Sequence, residues 1–427
     1  MRGSTAGLAD GVIAPPESVH ATFLHFIDIA FSTMIVAPSV ILYWRGTWNL
    51  TGLFLFPRNP QIGAIISLSV GFLGHLVFNI FQEKIKKNLH PDKHRITYLM
   101  CSRIYTYVYG FACVNCWRGV WILMEHHVPF ILSTVFTITF VAAISLVFMK
   151  GMRNICATPF SIASDHSMQY FNVPTYFKTS AQDPGLYILD CAFSVLVIGT
   201  LVVFVWRGTW VMCDLIIYPD DLRMTAWGSL VIGYGIVALT FAMQSLMRWA
   251  CDRLKGFWRV AAADIFLFLS FIGTVNVWRG VWQLCDLYFL KGSPVLSNAM
   301  THSCAFLLLA LLNCSNSVIV RGVYIDAEEP AGQCVIFPVY YIRLFFQKER
   351  TKKQQRLIDA LEKLDHNKTT EALLPDKTGK TPIILPMNNT TNIHQRSIEL
   401  QAMLSDVENV NEKSQNGEHM ILRSAKD

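Results

Sequence analysis

Eight long apolar stretches, separated by short polar connections, run through the first three quarters of the chain. A transmembrane α-helix needs roughly 20 predominantly apolar residues, and helices of soluble cores are usually shorter and amphipathic. The pattern therefore predicts an all-α, polytopic membrane protein with eight transmembrane helices. The predicted spans are 21–43, 61–82, 96–116, 129–149, 186–205, 226–247, 258–277 and 299–320.

Composition supports the membrane class, because 52% of the residues are hydrophobic and only 15% are charged. Soluble domains carry about 25% charged residues. The segment before the first span holds one arginine, two adjacent prolines and no apolar run, which is unlike a cleavable signal peptide. We therefore expect the first span to act as an uncleaved signal-anchor.

A five-residue motif, Trp-Arg-Gly-x-Trp, occurs four times and uses 8 of the 11 tryptophans. The offset from copy one to copy three (206 − 44) and the offset from copy two to copy four (278 − 117) differ by a single position. This spacing indicates a duplicated half. Because each half holds four helices, an even number, we predict two parallel four-helix repeats. The motif residues are Trp44, Arg45, Gly46, Trp48, Trp117, Arg118, Gly119, Trp121, Trp206, Arg207, Gly208, Trp210, Trp278, Arg279, Gly280 and Trp282.

Shifts in composition divide the chain further. Past the last span, aromatic residues lead into basic ones, which suits an amphipathic helix on an anionic inner leaflet or a solvated helical linker. The end of the chain is polar and poor in aromatics, as disordered segments are. The predicted segments are a cytosolic N-terminal segment (1–20), the first repeat (21–160), a cytosolic linker (161–185), the second repeat (186–325), a basic juxtamembrane segment (326–365) and a disordered cytosolic tail (366–427).

Lysine and arginine cluster in the even-numbered connections between spans. The odd connections hold only Arg58, Arg223 and Lys291 besides the motif arginines. The positive-inside rule then places the even connections and both termini in the cytosol. On this prediction all four motifs lie at the extracellular ends of the first, third, fifth and seventh helices.

Two interpretations of the motif remain open. Tryptophan is favoured at the headgroup level, glycine as a left-handed helix cap and arginine in a last helical turn, which together would anchor a helix end. If the helix continues instead, both tryptophans share one face and the arginine stacks on the second. Alternatively, the four arginines gather around the axis and form a vestibule that binds an anion or a lipid phosphate.

Three motifs have an acid eight residues after their first tryptophan, whereas the first motif has Gly52 there. We expect each acid to neutralise the arginine of its own motif, leaving Arg45 without a partner. Such pairing would weaken the vestibule hypothesis, which needs free positive charge. The expected pairs are Arg118–Glu125, Arg207–Asp214 and Arg279–Asp286.

Four ionisable residues lie within the predicted spans: Asp28, Arg103, Asp190 and Asp264. Asp28 and Asp190 precede their motif tryptophans by equal distances along the chain (44 − 28 and 206 − 190), and so do Arg103 and Asp264 (117 − 103 and 278 − 264). We expect Arg103 to pair with Asp264 across the halves. Because buried charge is costly in hydrocarbon, these residues serve helix–helix hydrogen bonding, reach to the cytosolic interface, or form a cation or proton site.

The sequence offers no sign of catalysis. It holds no HExxH, GxSxG or phosphate-loop pattern and no cysteine–histidine cluster with metal spacing, so we predict no enzyme, cofactor, metal site or nucleic-acid partner. A small cluster of Glu125, His126 and His127 is not expected to hold a metal. Cys213 and Cys285 occupy equivalent positions, and both a disulfide and free thiols remain open for them.

Four such motifs on alternate helices, in a duplicated eight-span core followed by a long polar tail, resemble the Fuseless family over about residues 20–330. The resemblance implies an eight-pass membrane protein of the presynaptic terminal. It also implies a role in organising voltage-gated calcium channels and thus calcium-triggered vesicle release. It brings no catalytic residues; only the motif residues transfer, as determinants of fold or interaction.

Two functions are therefore weighed. In the first, the protein is a non-enzymatic organiser in the plasma membrane that contacts the bilayer, other membrane proteins including calcium channels, and cytosolic partners of its tail. In the second, it is a solute carrier or ion channel that uses Asp28 and Asp190, with Arg103 and Asp264 as a gating pair. The halves lack the paired helix breaks expected at a midplane substrate site. A polar cavity touching Asp28 and Asp190 would favour transport.

Overall fold

In the computed structural model, residues 19–89, 95–165, 170–179 and 183–326 are described, together with 333, 335–344 and seven positions between 346 and 359. Nearly all of the predicted N-terminal segment, all of the tail at 366–427 and most of 345–365 therefore lie outside the described residues. Contacts divide the chain into two units, 1–353 and 354–427. In the second unit the structure describes Arg356, Ile358 and Asp359, all helical.

The described residues form eight long helical segments, which we number α1 to α8. Two of them contain a π-helical turn: α1 comprises Val19–Phe31, Ser32–Val36 and Ala37–Phe54, and α5 comprises Pro184–Phe193, Ser194–Gly199 and Thr200–Ile216. The others are α2 (Pro60–Asn88), α3 (Arg95–His127), α4 (Leu132–Phe148), α6 (Leu222–Arg253), α7 (Gly256–Tyr288) and α8 (Pro294–Leu311).

Six of these helices are long and apolar enough to cross a membrane: α1, α2, α5, α6, α7 and α8. Helix α4 is apolar but has 17 residues. Helix α3 has 33 residues and more polar ones among them. The fold is thus all-α and the protein is a multi-pass helical membrane protein. Exposed apolar side chains such as Phe136 and Phe140 on α4 suit helices that face lipid.

Local chemistry starts and stops the helices where the sequence turns polar. The side chain of Asn59 accepts a hydrogen bond from Ile62 N at the start of α2, and Asp221 caps α6 in the same way. Two residues beyond the ends of α1, α5 and α7, the backbone takes the left-handed conformation, at Phe56, Tyr218 and Leu290. Each of these turns lies between a motif-bearing helix and the helix that follows it.

The four motif-bearing helices, α1, α3, α5 and α7, surround a common axis, and the other four lie outside them. Each central helix packs against one outer helix, in the pairs α1–α8, α3–α2, α5–α4 and α7–α6. The helices of the last three pairs are consecutive along the chain. The pair α1–α8 instead joins the two ends of the bundle, which closes the ring.

Two segments fill the bundle at the end opposite the motifs, which we call the loop end. Loop A (residues 149–165) follows α4, and loop B (residues 312–326) follows α8; each contains a short 3-10 turn, Met152–Ile155 and Ser315–Val318. Asp165 of loop A accepts hydrogen bonds from Ser315 N and Asn316 N, at 2.9 and 2.8 Å. Asp326 of loop B accepts them from Met152 N and Arg153 N, at 2.7 and 3.0 Å. Each loop therefore caps the 3-10 turn of the other.

Two boundaries predicted from the sequence are wrong. The predicted last span, 299–320, extends past the end of α8 at Leu311 into loop B. The motifs do not lie at helix ends either, since α1, α3, α5 and α7 each continue ten residues beyond the first motif tryptophan (54 − 44, 127 − 117, 216 − 206, 288 − 278). Hydropathy underestimates these helices because the motif arginine interrupts the apolar run.

Candidate functional site: tryptophan rings and arginine belt

The first tryptophans of the four motifs form a closed ring around the axis. Neighbouring ring centroids lie 5.3 to 5.7 Å apart, with the planes nearly perpendicular. The second tryptophans form another ring, with centroids 5.6 to 6.0 Å apart. A spacing of four residues stacks the two rings on one helix face, and edge-to-face contacts are the preferred geometry for aromatic pairs. The motif thus builds the centre of the bundle.

Loops A and B hold the first ring from the loop end. The Nε1 groups of Trp44, Trp206 and Trp278 donate to the carbonyls of Val318, Ile155 and Thr158, at 2.9 to 3.0 Å. On the other side of this ring lies a cavity of 190 Å³. Its lining consists of the eight motif tryptophans and Asn49. Tryptophans, and not the four arginines of the vestibule hypothesis, therefore surround the axial cavity.

The arginines form a separate belt that faces the outer helices. Arg45 donates to Ser297 and Thr301 of α8, both at 3.3 Å. Arg279 contacts Thr225, at 2.6 Å, and Ser229 of α6. All four arginines are at most 5% exposed, and burial of a guanidinium is tolerated only with polar partners. Arg45, Arg118 and Arg279 therefore each join a central helix to an outer one, whereas Nε and Nη2 of Arg207 have no hydrogen-bond partner among the described residues.

The motif glycines bring paired helices close together. A Cβ on Gly46 would stand 2.6 Å from the carbonyl oxygen of Asn298, and one on Gly280 would stand 2.7 Å from Leu230 N. Neither glycine has a positive φ. Of the two arrangements left open for the motif, the left-handed cap is therefore wrong and the helix continues. Glycine is needed at these positions because only hydrogen fits between the backbones.

Ion pairs join two of the three motif acids to the arginine of the next motif around the ring. Asp286 contacts Arg45 and Asp214 contacts Arg279, both at 2.7 Å. Among charged groups, Arg207 acts most strongly on Glu125. The prediction that Arg207 pairs with Asp214 and Arg279 with Asp286, leaving Arg45 without a partner, is wrong. Seven residues along one helix span about 10 Å, too far for a contact, whereas a neighbouring helix brings the groups together.

The residue eight positions after the first tryptophan of one motif faces the arginine of the next motif. For Arg118 that residue is Gly52. A Cβ there would lie 3.3 Å from Arg118 Nη2. Arg118 Nη1 donates to Ser67 of α2 at 2.9 Å, while its buried Nε has no hydrogen-bond partner among the described residues. Arg118 is thus the arginine that faces a glycine where Arg45 and Arg279 face an acid, although Glu125 further along α3 still acts on it electrostatically.

The first pair of intramembrane acids anchors chain segments at the loop end. Asp28 is fully buried and accepts hydrogen bonds from Tyr341 N and Ile342 N, at 3.1 and 2.6 Å, and from Arg343 Nε at 2.7 Å. Segment 341–343 is thereby fixed on α1. Tyr341 also stacks on Phe31, with centroids 4.4 Å apart.

Asp190 does the same on α5. It accepts hydrogen bonds from Phe177 N and Thr179 N, at 3.0 and 3.1 Å, and from the Thr179 hydroxyl at 3.0 Å. It is 2% exposed. Both acids therefore use their oxygens to fix a segment outside the eight helices, and not to bond one transmembrane helix to another as expected.

The predicted pair of Arg103 and Asp264 is wrong. Arg103 contacts Asp165 of loop A at 3.1 Å and donates to Asn313 at 2.9 Å. Burial raises the pKa of Asp165, and Arg103 opposes that rise. In the other half, Asp264 has Asp326 as its charged neighbour. Burial raises the pKa of Asp326 to about 6, although backbone donors from Arg153 and Met152 and the charge of Arg153 oppose the rise.

Two smaller groups were singled out by the sequence. Cys213 and Cys285 are both free thiols. The rings of His126 and His127 contact each other edge to face at 5.2 Å. Over the described ranges, no group of three or more histidine, cysteine, aspartate or glutamate side chains could hold a metal ion.

The amino-acid sequence matches the model of one known protein family. The family model described as Fuseless aligns with residues 23–319, which is more than half of the chain and includes all four motifs. The chain belongs to the Fuseless family. Comparisons with curated proteins and with solved structures found no match.

Sequence reasoning about this Fuseless chain missed the pair Asp165 and Asp326, which cap the opposite loops. A signal was present, since their separation (326 − 165) equals the offset between motif copies two and four (278 − 117). It also missed Ser67 and Ser229, which receive hydrogen bonds from Arg118 and Arg279. Their separation (229 − 67) equals the offset between copies one and three (206 − 44). A search for every polar residue repeated at these offsets would have found both pairs.

Proposed function

We propose that this protein is a non-enzymatic organiser of the presynaptic terminal, which supports calcium-channel localisation and calcium-dependent vesicle release. Membership of the Fuseless family supports this role. Its partners on this proposal are the bilayer, other membrane proteins including voltage-gated calcium channels, and cytosolic proteins that bind the tail.

The proposal includes an arrangement in the membrane. All eight helices cross it as two parallel repeats of four, with both termini in the cytosol and the motif end outside. The lysines and arginines of the even connections support this orientation. The equal distance from motif to helix end in α1, α3, α5 and α7 supports the repeat. So do the two π-helical turns, whose separation (194 − 32) equals that of motif copies one and three (206 − 44).

One observation carries the choice of organiser over transporter. A transport site needs acids that can exchange their partners for an ion or a substrate, yet Asp28 and Asp190 each accept at least three hydrogen bonds from the protein. Neither residue lines any of the three principal cavities in the described part of the chain. Displacing these donors would release segments 341–343 and 177–179 from the bundle, at a large cost in folding free energy.

The axis supplies a second argument. The ring of Trp44, Trp117, Trp206 and Trp278 is closed by edge-to-face contacts, and three of its indoles are hydrogen-bonded to the loops. Opening a path along the axis would break several aromatic contacts, each worth about 1 kcal/mol, besides these hydrogen bonds. A rigid closed bundle suits a platform for other proteins.

The test uses neurons that lack the protein and that express the full chain, a chain ending at Lys353, or a chain whose residues 354–427 are scrambled. The cut follows the boundary between the two contact units. At equal surface level, we expect the full chain to restore calcium-channel clustering and both altered tails to lose it. A conductance or solute uptake in liposomes that contain the purified protein would contradict the organiser.

A further inference from the structure

The arginine belt has an open position beside Gly52. Arg207 also has buried nitrogens without a partner among the described residues, but it lines none of the three principal cavities there. At the equivalent places around the ring, acids face Arg45 and Arg279 directly. Beside Arg118 the acid is absent, and the arginine is buried with its Nε unpaired among the described residues. Glu125 acts on Arg118 electrostatically but makes no ion pair with it among the described residues, so the buried Nε still lacks an acceptor and the geometry calls for an anion from outside the chain.

A cavity of 390 Å³ opens at this position. Arg118 and Gly52 both line it, and so does Lys291 from the connection between α7 and α8. Arg45 and Asp286 also line it, but they neutralise each other. Within the described ranges, neither Arg118 nor Lys291 makes an ion pair, so the cavity keeps two positive charges.

We propose that this cavity binds a phosphate group, held by Arg118 with help from Lys291. The guanidinium offers parallel N–H donors that match an oxyanion, and a cavity of this size admits a headgroup. The apolar side chains of Leu53, Phe289 and Leu290 line the same cavity and are each at least 38% exposed. Such a rim suits acyl chains, so a phospholipid at the motif end of the bundle is the favoured source, and free phosphate is the other.

The chain offers a matched pair of variants at the position of the missing acid. Gly52→Asp places a carboxylate beside Arg118 and completes the belt, whereas Gly52→Asn adds the same bulk without charge. The only atoms near a new Cβ belong to the flexible end of Arg118, so both variants should fold. Replacing glycine in a helix also favours the folded state, because glycine is a poor helix former.

Binding is measured on the full-length protein, purified and stripped of lipid in detergent. Native mass spectrometry follows dioleoylphosphatidic acid and dioleoylglycerol, which share acyl chains and differ in the phosphate; calorimetry follows inorganic phosphate. We expect the phosphatidic acid to bind and the diacylglycerol to bind much less. Gly52→Asp and Arg118→Gln should weaken binding about tenfold or more, since a charge-assisted contact is lost, and Gly52→Asn should not.

Each outcome decides a point. Binding of inorganic phosphate with the same dependence on Gly52→Asp, but none of phosphatidic acid, would identify a soluble source for the same site. Equal binding by Gly52→Asp and the unaltered protein, or no binding of either phosphate by the unaltered protein, would overturn the proposal. If Arg118→Gln fails to fold, the comparison of Gly52→Asp with Gly52→Asn still decides it.

Discussion

The two ends of the bundle treat buried charge in opposite ways. At the loop end, Asp28 and Asp190 each accept at least three hydrogen bonds, two of them from backbone N–H groups of a neighbouring segment. At the motif end, Arg45 and Arg279 have acids, while Arg118 lacks one beside an open cavity. A buried charge whose hydrogen bonds are all made within the protein holds its neighbours in place. A buried charge with an unpaired donor beside a cavity leaves a place for a ligand.

The largest effect is expected from the acids of the loop end. Asp28→Asn or Asp190→Asn replaces a carboxylate, which only accepts hydrogen bonds, by an amide whose NH2 group faces the N–H donors of the bound segment. The segment at 341–343 or 177–179 then loses part of its attachment to the helix. We expect a loss of about 3 kcal/mol, as for other broken buried charge networks. Thermal unfolding in detergent measures it, and Asp183→Asn, at an exposed position, serves as the control. Unchanged stability with altered ion flux would instead identify a transport site.

A smaller loss is expected at the motif glycines. Gly46→Ala forces a methyl group to within 2.6 Å of the Asn298 carbonyl oxygen and should cost about 1–3 kcal/mol by overpacking. The control is Gly235→Ala on α6, where no atom lies within 4 Å of the new Cβ. The same unfolding measurement compares them. Equal melting temperatures would show that the paired helices can separate without cost.

The pairing across motifs can be tested with a double-mutant cycle. We expect Arg279→Gln and Asp214→Asn to show a coupling of about 1–2 kcal/mol, and Arg279→Gln and Asp286→Asn to show almost none. The value is modest because Asp214 is 30% exposed and solvent screens part of its charge. A larger coupling of Arg279 with Asp286 than with Asp214 would instead support pairing within a motif.

A dependence of stability on pH is also expected at the loop end. Asp326 has a pKa of about 6 in the folded protein against an ordinary 3.8, because of burial. An acid whose pKa is higher when folded disfavours folding as it ionises, so its contribution to stability falls from pH 3.8 to about 6 and is then constant. We expect Asp326→Asn to flatten the pH profile of unfolding in this window. If the pH dependence of the unfolding free energy in this window is unchanged in Asp326→Asn, other groups cause it.

Particular residues show how far the sequence could be followed. Asp28 and Asp190, at equal distances before a motif tryptophan, were visible as repeated intramembrane acids. Their partners, at 341–343 and 177–179, were not, because most of the donors are backbone N–H groups, which every residue except proline carries. The acids of the motifs were also visible, but their partners were assigned to the same helix. The arrangement of the four central helices around the axis brings the acid of one helix to the arginine of its neighbour. A single sequence does not show which helices are neighbours.

The sequence alone determined the all-α membrane class, the four motifs and the family, because apolar length and repeated spacing are properties of the chain itself. Only the tertiary structure decided that the motifs lie inside their helices, that the tryptophans occupy the axis and that the arginines face outward. It also decided that the open position is at Arg118 and not at Arg45. These are contacts between helices far apart in sequence, and packing selects them.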